Sequence, residues 1–216
     1  MANRDLLKRF QQAFENPDKV RAEEYQKTIE EIASKAAEKA ERLTFLLLSL
    51  VMIFVLVTQG RIKKLDLGFV EIDDPSIILV TLPVLIAYIH YDLVTTLAKF
   101  DRLAIMYKVI IEKRHKSIYD QRLTEYFLIT PSLYESKYLS TAGIAHKIQS
   151  SLWVFQFLSI TIFVPLGFYV MAFWKLFTLP VLGFPLLLIV SLAITTLFAL
   201  QSFFTAAELL RGVSEN

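Results

Sequence analysis

Four stretches of this sequence are almost free of charged residues and are long enough to cross a lipid bilayer. They cover residues 43–59, 77–98, 152–174 and 181–205. A membrane-spanning helix needs about 20 mainly apolar residues at roughly 1.5 Å rise per residue. The second stretch reaches that length only if Asp92 is included. We therefore predict an all-α polytopic membrane protein with four transmembrane helices.

Composition supports this class and excludes others. Hydrophobic residues make up 55% of the 216 residues, whereas soluble domains have about 45–50%. The net charge is only +2 and basic residues alternate with acidic ones, so no nucleic-acid partner is expected. Cysteine is absent, which excludes disulfides, thiolate metal sites and a cysteine nucleophile. Because a charged segment precedes the first apolar stretch, that stretch is predicted to be a retained signal anchor.

Basic residues predict the orientation. Segments 1–42, 99–151 and 206–216 hold 19 Lys and Arg residues, against four in 60–76 and 175–180. By the positive-inside rule, the first group faces the cytoplasm. The prediction is an inner (plasma) membrane protein with both termini cytoplasmic. Its outer connections are a hairpin or loop at 60–76 and a short turn at 175–180.

Two tryptophans mark the third span. Trp153 and Trp174 lie 21 residues apart, which is about 31 Å along a helix and close to the hydrocarbon thickness. Their amphipathic rings favour the headgroup level, so they are interpreted as interfacial anchors in contact with membrane lipid. A role in helix packing is the alternative.

The spans are predicted to continue as long cytoplasmic helices. No Gly or Pro occurs in residues 18–59 or 84–130, so each helix can run on beyond the membrane. Charge pairs four residues apart, such as Glu31 with Lys35, stabilise the first extension. Ala33, Ala36 and Ala40 let another helix approach closely. The two extensions could form a bundle that contacts a soluble cytoplasmic partner.

An acidic cluster precedes the second span. It consists of Glu71, Asp73 and Asp74 and is followed by Pro75. One interpretation is an outer vestibule that attracts cations. The interpretation that we favour is that Asp74 caps the next helix and that Pro75 lies in its first turn.

Polar residues at membrane depth are the candidate functional residues. With the second and fourth spans running inward and the third outward, Asp92, Gln156 and Gln201 fall at a similar depth, with His90 beside Asp92. They could line a pore, with Asp92 repeated around an oligomer as a carboxylate ring that favours cations. Alternatively, Asp92 hydrogen-bonds to the glutamines and serves helix packing. His90 lies about 200° around the helix from Asp92, so a metal pair is not expected.

Motifs for catalysis or nucleotide binding are missing, so no enzyme, cofactor or metal is predicted. The first hypothesis is a homo-oligomer that forms or gates an ion-permeation path under the control of its cytoplasmic helices. The alternative is a membrane anchor or scaffold that recruits a soluble cytoplasmic partner. The layout is similar to that of small membrane effectors of bacterial antiphage systems, without a shared motif, and this resemblance implies a membrane component of antiphage defence.

Overall fold

A computed structural model describes residues 19–61, 65–66, 71–72, 75–114, 152, 155–178 and 185–214. The elements, in chain order, are α1 (Lys19–Thr58), β1 (Leu65–Asp66), β2 (Glu71–Ile72), α2 (Pro75–Arg114), a π-helical turn (Ser159–Phe163), α3 (Val164–Thr178) and α4 (Pro185–Ser214). Four helices are long and apolar enough to cross a membrane, which confirms the predicted all-α fold with four such helices. Trp153, Asp73 and Asp74 lie outside the described residues.

Helix α1 runs unbroken for 40 residues from a charged beginning into the first apolar stretch. Lys35 Nζ lies 2.7 Å from Glu31 Oε1, so this predicted pair forms. Gly60 ends the helix with a φ of 69°, a left-handed conformation that costs glycine little. The Gly60 N–H donates to Val57 and the Arg61 N–H to Leu56, which is the Schellman pattern that satisfies the last carbonyl groups of a helix.

A short antiparallel ladder follows in the segment for which the sequence predicts a hairpin. Its register pairs Leu65 with Ile72 and Asp66 with Glu71. Helix α2 then begins at Pro75, because a proline in the first turn has no intrahelical N–H bond to lose.

Helix α2 is the most covered of the four long helices. Of its most apolar 18-residue window, 61% is buried, against 28%, 33% and 22% for the windows in the first, third and fourth candidate spans. In the corresponding windows of the other three helices, most residues are only partly buried or are exposed.

The chain divides into two compact units. The extension unit comprises Met1–Glu41, Thr96–Phe157 and Glu208–Asn216, and the membrane unit comprises Arg42–Thr95 and Leu158–Ala207. In the extension unit, α1 buries the alanines that the sequence places on one face, and α2 buries aromatic and small side chains: Ala33, Ala36, Ala40, Phe100, Ala104 and Tyr107. Glu30 and Gln26 of α1 lie near enough to the Tyr107 hydroxyl of α2 to influence its pKa, so the two helices of this unit are neighbours.

Candidate functional site

Helices α2 and α4 lie side by side in the membrane unit and run in the same direction. The Ser191 hydroxyl of α4 donates a hydrogen bond of 2.7 Å to the Val80 carbonyl of α2. Further along both helices, the rings of Tyr88 and Phe198 meet edge to face with centroids 5.7 Å apart. Residue numbers increase together on the two helices, so they are parallel.

A groove of about 450 Å³ opens between these two helices. Its lining residues are Val80, Thr81, Val84, Leu85, Tyr88, Val190, Ser191, Ile194 and Phe198. The hydroxyl groups of Thr81 and Ser191 are both used within the protein, on the carbonyls of Ile77 and Val80. The surface that this groove presents is therefore mainly apolar.

On α2, the exposed side of the groove continues to Asp92. Thr81, Leu85 and Tyr88 line the groove and are exposed. Asp92 follows Tyr88 by four residues, and spacings of four, three and four residues keep side chains on one face of a helix. Asp92 is half-buried, so part of its side chain is accessible on this face.

On α4, the corresponding face continues to Gln201. Ile194 and Phe198 line the groove, and Gln201 follows Phe198 by three residues and is exposed. From the contact of Tyr88 with Phe198, Asp92 is about 6 Å further along α2 and Gln201 about 4.5 Å further along α4. The parallel register therefore supports the placement of Asp92 and Gln201 at one level, which we name the polar level.

The polar level lies inside the apolar part of both helices. Asp92 precedes Lys99 by seven residues and Gln201 precedes Glu208 by seven, which is about 10 Å in each case. A carboxylate at such a depth is stable only where protein or water solvates it. An amide group also requires hydrogen-bond partners in hydrocarbon. The polar level is therefore the part of the membrane unit that combines a half-buried carboxylate with an exposed amide.

His90 lies on the opposite side of α2 and is completely buried. Its Nε2 atom lies 2.9 Å from the Thr161 carbonyl oxygen, and its Nδ1 atom lies 3.0 Å from the Tyr169 hydroxyl. A carbonyl oxygen only accepts, so Nε2 carries the hydrogen and donates. In the neutral ring, Nδ1 then accepts from the Tyr169 hydroxyl.

The Thr161 carbonyl is available because of Pro165. In an α-helix this carbonyl would accept from the N–H of residue 165, and proline has no N–H. The helix adjusts by forming the π turn, in which the Val164 N–H donates to the Ser159 carbonyl. The His90 ring supplies the missing donor from α2. The sequence carried a signal for this contact, since a proline within a span requires a compensating donor.

Aromatic rings extend the His90 contacts to the other helices. Phe203 of α4 meets the His90 ring with centroids 5.8 Å apart and the Tyr169 ring at 6.1 Å. Phe54 of α1 meets Phe168 of α3 at 5.0 Å. His90 is thus part of the packed centre of the membrane unit and does not lie on the face that carries Asp92.

Gln156, Trp174 and Glu71 are the remaining predicted residues that the structure describes. Gln156 is exposed but belongs to the extension unit, so its predicted place beside Asp92 stays a prediction. Trp174 of α3 is 70% exposed. Glu71 lies in β2, where it pairs with Asp66.

Comparisons with protein-family models, with curated proteins and with solved structures found no match to this chain. Its function is therefore argued from the groove, the polar level and the two units alone.

Proposed function

We propose that this chain is a homo-oligomeric membrane protein whose spans form or gate an ion-permeation path under the control of its cytoplasmic helical region. The observation that carries the proposal is the polar level, where Asp92 and Gln201 remain accessible on one side of a single chain. A shared aqueous path between copies would bring water to the accessible part of the carboxylate and would give the exposed amide hydrogen-bond partners.

The charge of the polar level favours cations. Repetition of Asp92 around an oligomer would place several carboxylates at one height, an arrangement that selects cations. At about 4 Å and an effective dielectric constant of about 20, one carboxylate attracts a monovalent cation by roughly 4 kcal/mol. Asp92 would therefore contribute strongly to cation entry.

The continuity of α2 supports control by the extension unit. Asp92 and the buried Tyr107 lie on one uninterrupted helix, α2. Glu30 of α1 in turn acts on the pKa of the Tyr107 hydroxyl. A partner or ligand that moved this part of α2 would act on the helix that carries Asp92.

The extension unit also favours a second function, that of a scaffold without conduction. Its alanines on α1 and Tyr107 on α2 are buried, while Glu31 and Lys35 remain exposed on α1. Such a bundle offers a charged surface to a soluble cytoplasmic protein. In this case the polar level would serve contacts between helices alone.

Cation flux in liposomes distinguishes the two functions. The purified protein is reconstituted into vesicles loaded with K⁺, and efflux is followed with a K⁺ electrode for wild type, Asp92→Asn and Glu38→Gln. Glu38 is exposed on α1 and gives the same change in charge far along the sequence from Asp92. We expect wild type and Glu38→Gln to conduct, and Asp92→Asn to lose about tenfold or more, which corresponds to about 1.4 kcal/mol. Absence of K⁺ flux through the wild-type protein would contradict the permeation path and favour the scaffold function. Equal flux through all three proteins would show that Asp92 does not contribute to the path.

A further inference from the structure

We infer that the groove between α2 and α4 is the contact surface for a second copy of this chain, an inference that rests on the proposed homo-oligomer. The groove has a volume of about 450 Å³ and is lined by residues of both helices. Helices in a bilayer associate mainly through close packing and hydrogen bonds between them. A helix of a second copy that lies in this groove would make packing contacts with α2 and α4 that a single chain does not make.

The choice of occupant follows from what lies at the inner end of the groove. A lipid acyl chain matches the apolar lining but carries no hydrogen-bond donor or acceptor. One turn beyond Tyr88 and Phe198, the same surface presents Asp92 and Gln201, about 10 Å inside the nearest charged residues. An anionic lipid headgroup at that level would be repelled by the carboxylate.

A second copy supplies the complementary chemistry. The Gln201 amide has two donors and one acceptor group, so it can pair with the same amide in another copy. It can equally donate to the Asp92 carboxylate of a neighbouring copy, because an ionised carboxylate only accepts. The two groups of the polar level are therefore complementary to each other across a contact between copies.

One line of exposed residues on α4 continues from the groove to Gln201 and beyond it. A seam at alternating intervals of four and three residues is exposed along α4 and consists of Val190, Ile194, Leu197, Gln201 and Phe204. Intervals of this kind are typical of two helices packed side by side, with a single polar residue fixing their register. Val190 and Ile194 also line the groove, so the seam and the groove form one surface.

Cysteine cross-linking tests this contact directly, because the wild-type chain contains no cysteine. Single variants on the contact surface are Ile194→Cys, Leu197→Cys and Gln201→Cys. Matched controls are Phe45→Cys on α1 and Val170→Cys on α3, which are 76% and 64% exposed on other faces. A disulfide forms only where Cα atoms approach within about 7 Å.

Oxidation in liposomes is expected to give cross-linked dimers with the contact-surface variants and at least about tenfold less with the controls. If two copies contact head to tail, different surfaces of the two copies meet, and a single cysteine position does not meet itself. Leu85→Cys protein is therefore also mixed with Leu197→Cys protein, and cross-linked dimers are measured in the mixture. Cross-linking in either format supports the inference. Thr196→Cys, which is exposed on α4 outside the seam, is expected to resemble the controls.

The outcomes separate this inference from the proposed function. If the protein is oligomeric and conducts but cross-links through Phe45→Cys or Val170→Cys instead, the inference is overturned and the permeation path stands. If the seam cross-links but vesicles show no flux, the contact stands and the permeation path is overturned. A monomer whose groove holds a co-purified lipid overturns the inference.

Discussion

Replacement of His90 by phenylalanine tests the packed centre of the membrane unit. His90→Phe keeps a ring of similar size against Phe203 but removes both hydrogen bonds of the imidazole, to the Thr161 carbonyl and the Tyr169 hydroxyl. Hydrogen bonds between membrane helices contribute about 0.6 to 1.7 kcal/mol each, so the expected loss is about 1 to 3 kcal/mol in the free energy of unfolding. Tyr169→Phe removes only one bond and should cost about half as much.

Pro165→Ala sharpens the test, because it restores an N–H that can donate to the Thr161 carbonyl. In the Pro165→Ala protein, His90→Phe leaves only the Tyr169 hydroxyl without a partner. Its cost in the free energy of unfolding should therefore be about 1 kcal/mol smaller than in wild type. The double-mutant cycle isolates this coupling. Unfolding by SDS in mixed micelles, followed by the helical circular dichroism signal, measures each free energy. Tyr88→Phe is the control, since Tyr88 is half exposed and the change should stay within about 0.5 kcal/mol.

Two results would refute this account of His90. One is a His90→Phe variant as stable as wild type, which would mean that neither hydrogen bond contributes. The other is an equal loss with and without Pro165→Ala, which would mean that the imidazole does not substitute for the N–H that proline lacks.

Three further predictions concern packing and helix ends, each measured by the same SDS unfolding. Phe54→Ala removes a fully buried ring in contact with Phe168 and should cost about 3 to 5 kcal/mol, whereas Phe45→Ala, at a ring that is 76% exposed, should change little. Ser191→Ala should cost about 0.6 kcal/mol or more, because its hydroxyl joins α4 to α2, whereas loss of a hydroxyl that bonds within its own helix should cost less. Gly60→Ala should cost about 1 kcal/mol because φ is 69° there, and a neutral result would contradict the Schellman end of α1.

Much of the fold follows from local signals in the sequence. The absence of Gly and Pro predicts the 40-residue helix α1, and Gly60 ends it. Pro75 predicts where α2 begins. These signals are local, because helix beginnings and ends depend on residues within one or two turns.

The contacts of His90 could not be predicted in the same way. Its two partners are 71 and 79 residues away in sequence, and the choice of partner depends on how three helices pack. Pro165 shows that the Thr161 carbonyl loses a donor, but not which helix supplies the replacement. The π turn is likewise a response to this packing and to the proline.

The similar depths of Asp92 and Gln201 can be predicted from the sequence, whereas the groove cannot. Alternating span direction predicts that Asp92 and Gln201 have similar depths, and the parallel contacts of α2 and α4 support that placement. The groove depends on the shapes of side chains on two helices more than 100 residues apart in sequence, so no periodicity reveals it. The predicted place of Gln156 at the same depth stays a prediction.

The central claim is that Asp92 and Gln201 face another copy of the chain. Cryo-electron microscopy of the protein in lipid nanodiscs tests it most directly, because it counts the copies and locates both side chains. The account predicts two or more copies in contact through α2 and α4, with the polar level between them. A single copy, or an oligomer in which Asp92 and Gln201 face lipid, would contradict it.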